Sequence, residues 1–374
     1  MMYMNDSLYD IIIDARMINH SGIGRFLREI IFRLSRSFKL FLILPHDGIS
    51  YAVQYGLNYR LSQIPIYHPA EHFLFFRDSY KGKVFWSPHY NVPFFLFPGT
   101  KRVTTIHDLN HIVLSADLKF PRNVYAKILM RLALLLSNKI ITVSDFTRSE
   151  INLNIPGYNK KIKVIHLGIK ERGEVNIDFV RTKYSFPQKF MLFVGNVKPH
   201  KNIKVILQAM NLLPDEMLMN MPLVIVGEKE GFLTKDNTLN SLLMNPLLSK
   251  YVHFLGFIDD RDLDSVYAAS SLFVFPSLYE GFGFPPLEAM QNNVPVLCSL
   301  TTSLPEVCGN AVTYFNPNDP QELAQKISDF ISNPPNRLSI SKVYEQHLRN
   351  FNWEECTEKY IQVFDNLTHS IPNQ

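Results

Sequence analysis

Residues 272–290 read LFVFPSLYEGFGFPPLEAM. An unbroken apolar run of this length, aromatic and β-branched, fits a strand buried on both faces, and so a parallel sheet. Pro276 ends the run. A glycine-bearing loop follows, and Pro285 and Pro286 suit the start of a helix, where a missing N–H costs little. Strand, loop and helix in this order make half of a βαβ crossover, and the same alternation continues on both sides.

Upstream of this unit the second half of the chain predicts strands at 190–195 (FMLFVG), 223–227 and 252–255, and downstream one at 294–298. Helices are predicted at 201–213, 260–269, 285–292, 320–332 and 354–366. The first half repeats the theme, with strands at 9–14 (YDIIID), 40–44, 83–86, 102–106, 139–143 and 162–166, and helices at 22–36, 121–137 and 145–153. The pattern restarts after the polar stretch 170–188. This predicts an α/β protein of two Rossmann-like, doubly wound parallel-sheet domains facing a cleft, over 1–170 and 171–350. The last helix, within 351–374, is expected to pack back on the N-terminal domain.

The composition agrees with this size. The chain has 374 residues, 46% hydrophobic and 13% aromatic, enough for two cores and unlike a disordered, collagen-like or disulfide-scaffold protein. Cys298, Cys308 and Cys356 form no CxxC pair, so a reducing compartment is expected. No apolar run reaches about 18 residues, and the start of the chain lacks a basic, long-apolar signal pattern, so the expected location is cytoplasmic. Charge divides unevenly. Residues 1–170 hold 22 Lys+Arg against 11 Asp+Glu, a net +11, and the remainder carries −7. A basic half points to anionic partners; with no Lys/Arg tract, nucleic acid is not expected.

Parallel sheets of this kind bind ligands beyond the carboxyl ends of their strands. Four segments fall there. Ser21–Arg25 (SGIGR) follows the first strand, and its glycines suit either a tight turn or a close approach to an anion. His107 and Asp108 end the strand 102–106, as a hydroxyl-orienting histidine or as a structural pair. Gly195–Asn202 (GNVKPHKN) brings Lys198 and Lys201 to a helix start, where a diphosphate would offset their unfavourable place on the helix dipole. In the fourth, Glu280 lies in a loop and Glu288 is expected in the first helical turn; the two carboxylates would bracket a crevice, and each can accept two hydrogen bonds from a vicinal diol.

The stretch YEGFGFPPLEAM, continued by VPVLCS and SLPEVCGNAVTYFNPNDPQELAQKI, resembles the E-x7-E region of retaining, nucleotide-sugar-dependent glycosyltransferases of family 4 (group 1), which have the GT-B fold. GNVKPHKN resembles their phosphate loop, TIHD their N-domain histidine segment, and VSDFTRSEI with VIHLGI their approach to the linker. The resemblance implies that Glu288 holds the nucleotide ribose and that Glu280, with the backbone of Gly281, Phe282 and Gly283, holds the donor sugar. It implies that Lys201 contacts the diphosphate, that His107 faces the sugar, and that Gly22 lets a loop approach the phosphates. The backbone around Phe257 and Ile258 would line the nucleobase. Many members have arginine where this chain has Asn196; Lys198 is the residue available to supply that charge.

The reaction so implied moves a hexose from a nucleoside diphosphate sugar to a glycan or lipid-linked acceptor with retention, by front-face departure and without a metal. A mannose donor is the first expectation, in cell-envelope polysaccharide synthesis. The aspartates at 259–264 contain D-x-D strings but read as the acidic start of a helix. Rival readings are a nucleotide-sugar epimerase, which would turn over without acceptor, and a non-catalytic sugar-nucleotide-binding subunit. A lipid-linked acceptor would bring the protein to the inner face of a membrane as a peripheral protein. Residues 121–132, with Arg122, Lys127 and Arg131, are the expected docking helix; the alternative is an ordinary packed helix whose core stripe is Val124, Ile128, Leu132 and Leu135. The aromatic stretch 90–97 is the second candidate.

Overall fold

The computed structural model describes residues 8–79, 81–113, 122–196, 198–227 and 237–369. The chain forms two units, one of residues 1–168 with 351–374 and the other of residues 169–350.

The first unit holds a seven-stranded sheet: β1 (Tyr9–Asp14), β2 (Leu40–Leu44), β3 (Asn58–Leu61), β4 (Gly82–Ser87), β5 (Lys101–Ile106), β6 (Lys139–Thr142) and β7 (Ile162–Val164). Their order is β3-β2-β1-β4-β5-β6-β7, and every neighbouring pair is parallel. The order reverses between β1 and β4, which makes that seam the switch point. Ile12 pairs with Phe41 on one side and Phe85 on the other, so the centre of the sheet is apolar through both faces.

The helix Ser21–Leu34 starts at a close backbone crossing, and Gly24 makes it. A Cβ on Gly24 would lie 2.5 Å from the Ile18 carbonyl oxygen, whereas one on Gly22 would meet nothing within 4 Å. The helix Arg122–Leu136 buries Ala126, Leu129, Met130, Ala133 and Leu134. Val124, Ile128 and Leu135 are exposed beside the exposed Lys127 and Arg131, so the anticipated core stripe is instead the outer face. The two stripes differ by about half a helical turn, which apolar spacing alone does not resolve where both faces carry leucine and isoleucine. Pro121 and the side chain of Arg122 lie outside the described residues.

The helix Trp353–Thr368 completes this unit. Tyr360 packs 5.5 Å from Trp86 and 5.9 Å from Phe26 between ring centroids, and Phe364 packs 5.4 Å from Trp86.

The second unit holds a six-stranded parallel sheet: β8 (Met191–Val194), β9 (Leu223–Val226), β10 (Val252–Gly256), β11 (Leu272–Phe275), β12 (Val296–Ser299) and β13 (Thr313–Phe315). Their order is β10-β9-β8-β11-β12-β13, with the switch point between β8 and β11. The expected helix 201–213 is divided. A 3-10 turn, Pro199–Lys201, ends at Asn202 in the left-handed region (φ 51°), and the α-helix runs Ile203–Met210. Strands β3 and β13, and the helices Ile177–Tyr184 and Arg337–Leu348, have no counterpart in the sequence reading.

Candidate active site

At the switch point of the second unit, the loop after β8 meets the loop after β11. Leu278 N–H donates to the His200 carbonyl at 2.7 Å, and Ser277 Oγ donates to the same oxygen at 3.1 Å. Across this seam Lys201 Nζ donates to Glu280 Oε1 at 2.6 Å, with side chains 18% and 15% exposed. The ammonium also lies over the Phe275 ring, 5.5 Å from its centroid. The pair is largely shielded but not fully buried, and it joins the two residues expected at the diphosphate and at the sugar.

The loop after β12 holds Glu280 in place. Glu280 N–H donates to Thr302 Oγ1 at 3.2 Å, and Ser303 Oγ donates to the carbonyls of Glu280 and Phe282 at 2.9 Å each. Gly283 has φ 111°, a conformation that favours glycine, and a Cβ there would also push on Leu304 Cδ2 at 2.7 Å. Phe282 is buried and packs edge-on to Phe284, 5.3 Å between centroids. Gly281 lies beside it in the same loop.

Glu288 is one residue further along its helix than expected. The helix Phe284–Gln291 has no acid in its first turn; Glu288 is its fifth residue, buried, and accepts from Tyr267 Oη at 3.0 Å. The helix starts at Phe284 and not at Pro285, which moves Glu288 from its fourth to its fifth position. At this depth the carboxylate does not act as a counter-charge to the helix end. A buried carboxylate needs donors, and Tyr267 supplies one.

Phe257 and Ile258 follow β10; Phe257 is exposed and Ile258 buried. Lys198 is exposed at the head of the 3-10 turn, two residues after the exposed Asn196, while Val197 between them lies outside the described residues. The nearby aspartates have structural partners. Asp259 caps the helix Asp260–Ala269 through Arg261 N–H at 3.0 Å. Asp262 accepts from Lys183 (2.6 Å) and Tyr184 (2.7 Å), and these donors hold its carboxyl below the usual range. Asp264 accepts from Gly173 N–H (2.9 Å) and Asn292 (3.2 Å), with Lys170 at 3.0 Å.

In the first unit His107 follows β5. Its Nε2 lies 3.0 Å from the Pro88 carbonyl oxygen, its ring packs edge-on to Phe26 at 5.1 Å, and its own carbonyl accepts from Thr147 Oγ1 at 3.1 Å. A carbonyl only accepts, so Nε2 carries the proton and Nδ1 is the bare nitrogen. Burial pushes the imidazole down to about 4, which keeps it neutral near pH 7.

The sequence reading missed a buried polar cluster at this unit's own switch point. Asp14, the last residue of β1, accepts from Arg16 Nη2 at 2.7 Å and from His89 Nε2 at 3.1 Å. Arg16 also donates to Glu71, and Asn91 donates its amide to the other Glu71 oxygen. Burial opposes the Asp14 charge, yet the Arg16 guanidinium and the His89 N–H hold its carboxyl well below the usual range. Burial pushes Glu71 up. The signal was present, since Asp14 and His89 sit at or just beyond strand ends, but an aspartate closing an apolar strand was counted only as part of the strand.

Two doubly wound parallel sheets, one with a Lys–Glu bridge at its switch point and a buried second glutamate in the helix that follows, have the two-unit architecture expected of the GT-B fold. Residues 176–346 match the family described as "Glycosyl transferases group 1". The chain is 34% identical over 304 residues to O-antigen chain mannosyltransferase B of Escherichia coli, spanning 79% of this chain and 77% of that one. It belongs to the group 1 glycosyltransferases. It is 33% identical over 194 residues to the serotype-specific mannosyltransferase WbdA of Escherichia coli, covering 52% of this chain but only 24% of WbdA. The fold is similar to that of Anabaena Alr3699/HepE, solved in complex with UDP and glucose, with a TM-score of 0.78 at 17% identity over 96% of this chain and all of that one.

Proposed function

We propose that the protein transfers mannose, with retention, from a nucleoside diphosphate sugar to a glycan or lipid-linked acceptor in O-antigen synthesis. One observation carries the reading: the Lys201–Glu280 bridge at the second unit's switch point, within the segment that matches the family. The named mannosyltransferase relatives support the sugar. Lys201 takes the diphosphate, Glu280 and the 281–283 backbone take the sugar, Glu288 takes the ribose, and the backbone near Phe257 and Ile258 takes the base. Lys198 adds charge where Asn196 brings none. The first unit contributes His107, neutral, with Nδ1 ready to accept a hydrogen bond from a sugar hydroxyl.

The reading has no metal step; cationic side chains stabilise the leaving diphosphate, and the leaving phosphate assists deprotonation of the acceptor. GDP-mannose is the first expected donor and UDP-hexoses come next. A thermal-shift series with GDP-, UDP- and ADP-sugars, followed by transfer assays with and without EDTA, tests this. A ligand at 100 times its Kd stabilises by about 2.7 kcal/mol. Stabilisation by none of these nucleotides, or loss of transfer in EDTA, would contradict the reading.

A membrane-facing acceptor is part of the same proposal. No helix among the described residues is long and apolar enough to cross a membrane. The outer face of Arg122–Leu136 presents Val124, Ile128 and Leu135 with Lys127 and Arg131, and Phe73, Phe76 and Phe95 are exposed. Tyr125 Oη lies 3.4 Å from His72 Nε2, and His72 stacks on Phe94, which ties the helix to the aromatic segment. Apolar and aromatic residues interspersed with cations suit the interface of an anionic bilayer, which supports a peripheral protein on the cytoplasmic face.

A further inference from the structure

The first unit's sheet reverses between β1 and β4, and one ring spans that seam. His89 is bound at both nitrogens. Asn91 N–H donates to Nδ1 at 3.2 Å, and Nε2 meets Asp14 Oδ2 at 3.1 Å. A backbone amide only donates, so Nδ1 is bare and Nε2–H points at the carboxylate. The imidazole is therefore a neutral strut between the end of β1 and the turn after β4. That turn begins with Pro88, whose carbonyl accepts from His107 Nε2. A continuous chain of contacts thus runs from Asp14 through His89 and the Pro88 peptide to His107.

We propose that Asp14 and His89 are positioning residues: by clamping the 88–91 turn they keep the Pro88 carbonyl on His107 and so hold His107 in the one tautomer whose Nδ1 can accept a hydroxyl hydrogen bond. The inference rests on the reading of His107 as a sugar-contacting residue. The clamp is costly to bury. Asp14, Arg16, Glu71 and His89 are all buried, and Asn91 Oδ1 is buried without a partner. Buried ion clusters are often no more stable than apolar replacements of like volume, so stability alone does not require this one. What it supplies is direction. Arg16 and Glu71 fix the Asp14 carboxylate, Asn91 couples Glu71 to the turn, and the ring cannot rotate without losing a bond at each nitrogen. Without the clamp, the Pro88 carbonyl is free to turn away, and His107 can exchange its proton to Nδ1, which would make it a donor where an acceptor is needed.

The experiment uses the full chain labelled with 15N-histidine, with His107 identified by the signal lost in His107→Asn. Turnover is followed as release of nucleoside diphosphate from the donor sugar that the thermal-shift series selects, a reaction that needs only water as acceptor. In the wild type, long-range 1H–15N spectra at pH 7 should show His107 with a bare Nδ1 and a protonated Nε2. His89→Leu should give averaged nitrogen signals for His107 and a kcat lower by roughly ten- to a hundredfold, the scale of a misplaced catalytic group. Its affinity for the nucleoside diphosphate should stay unchanged. His89→Gln keeps an amide donor for Asp14, and it should restore both the single tautomer and most of kcat. If His89→Leu does not give a cooperative melt, Asp14→Asn carries the same two readouts. A wild-type His107 protonated at Nδ1 would overturn the proposal, as would a folded His89→Leu or Asp14→Asn variant that keeps either the single tautomer or wild-type kcat. Wild-type turnover in His107→Ala would overturn the sugar-contact reading itself, which the tautomer spectra leave distinguishable.

Discussion

Glu280 and Lys201 satisfy each other in this structure, so either one binds a ligand only by sharing or giving up its partner. That competition separates the two glutamates. Glu280→Ala removes the internal counter-ion of Lys201, so nucleoside diphosphate affinity should hold or rise while turnover falls. Glu288→Gln takes a charged acceptor from Tyr267 Oη and, in the proposed donor complex, from the ribose. Hydrogen bonds to charged groups contribute about 1.5–3 kcal/mol, so nucleotide affinity should fall by roughly ten- to a hundredfold. Titration of both variants with nucleoside diphosphate decides it, and equal losses in the two would contradict the assigned roles. His107 gives a pH prediction. Its folded pKa of about 4 lies below the ordinary histidine value of 6.5, so between these pH values the unfolded chain binds more protons. Stability therefore falls as pH drops from 6.5 towards 4 and the effect levels off below that, at most about 3 kcal/mol. His107→Asn should flatten this part of the stability-against-pH curve measured by denaturant titration; a curve like the wild type's would remove His107 as its source.

At the scale of elements, legibility followed burial. Strands such as β1, β2 and β11 were readable because both faces are covered and every residue reports it. Strands β3 (NYRL) and β13 (TYF) lie at sheet edges, short and partly exposed, and no apolar run marks them. The E-x7-E segment was legible as strand end, loop and helix start because its glycine and prolines are fixed by local geometry. Glu71, 55 residues from Arg16 and exposed to no pattern of its own, could be joined to the Asp14 cluster only by the fold. The Arg122–Leu136 helix shows the same limit, since choosing its inner face needed the packing. Its outer face makes a prediction. The protein should co-sediment with vesicles containing anionic lipid, less as salt rises, and less again in Lys127→Glu/Arg131→Glu. Each basic residue near an anionic surface contributes about 1 kcal/mol, so the double variant should lose at least tenfold in partition. Equal, negligible binding to neutral and anionic vesicles at low salt would favour a soluble acceptor.

At the scale of the whole molecule, the chain leaves its first unit after residue 168 and returns to it at 351. The second unit is thus an insertion, and the returning segment belongs to the first unit. Trp353, Tyr360 and Phe364 are buried in that unit, Tyr360 and Phe364 against Trp86. Burying such side chains contributes about 1.5–3 kcal/mol each, so losing three removes an amount comparable to the 5–15 kcal/mol that stabilises a typical domain. Cutting the chain after Asn350 should therefore unfold the first unit and leave the nucleotide site intact. The two tryptophans, Trp86 and Trp353, make this measurable, because both lie in the first unit. In the truncated chain Trp86 remains, and its emission should already be that of a solvated indole without denaturant. Nucleoside diphosphate should still raise the melting temperature of what remains folded, since Lys201, Glu280 and Glu288 all lie in the second unit. Native-like Trp86 emission in the truncated chain would show that the helix is dispensable to the first unit's core, and loss of the nucleotide shift would show that the donor site needs more than its own unit.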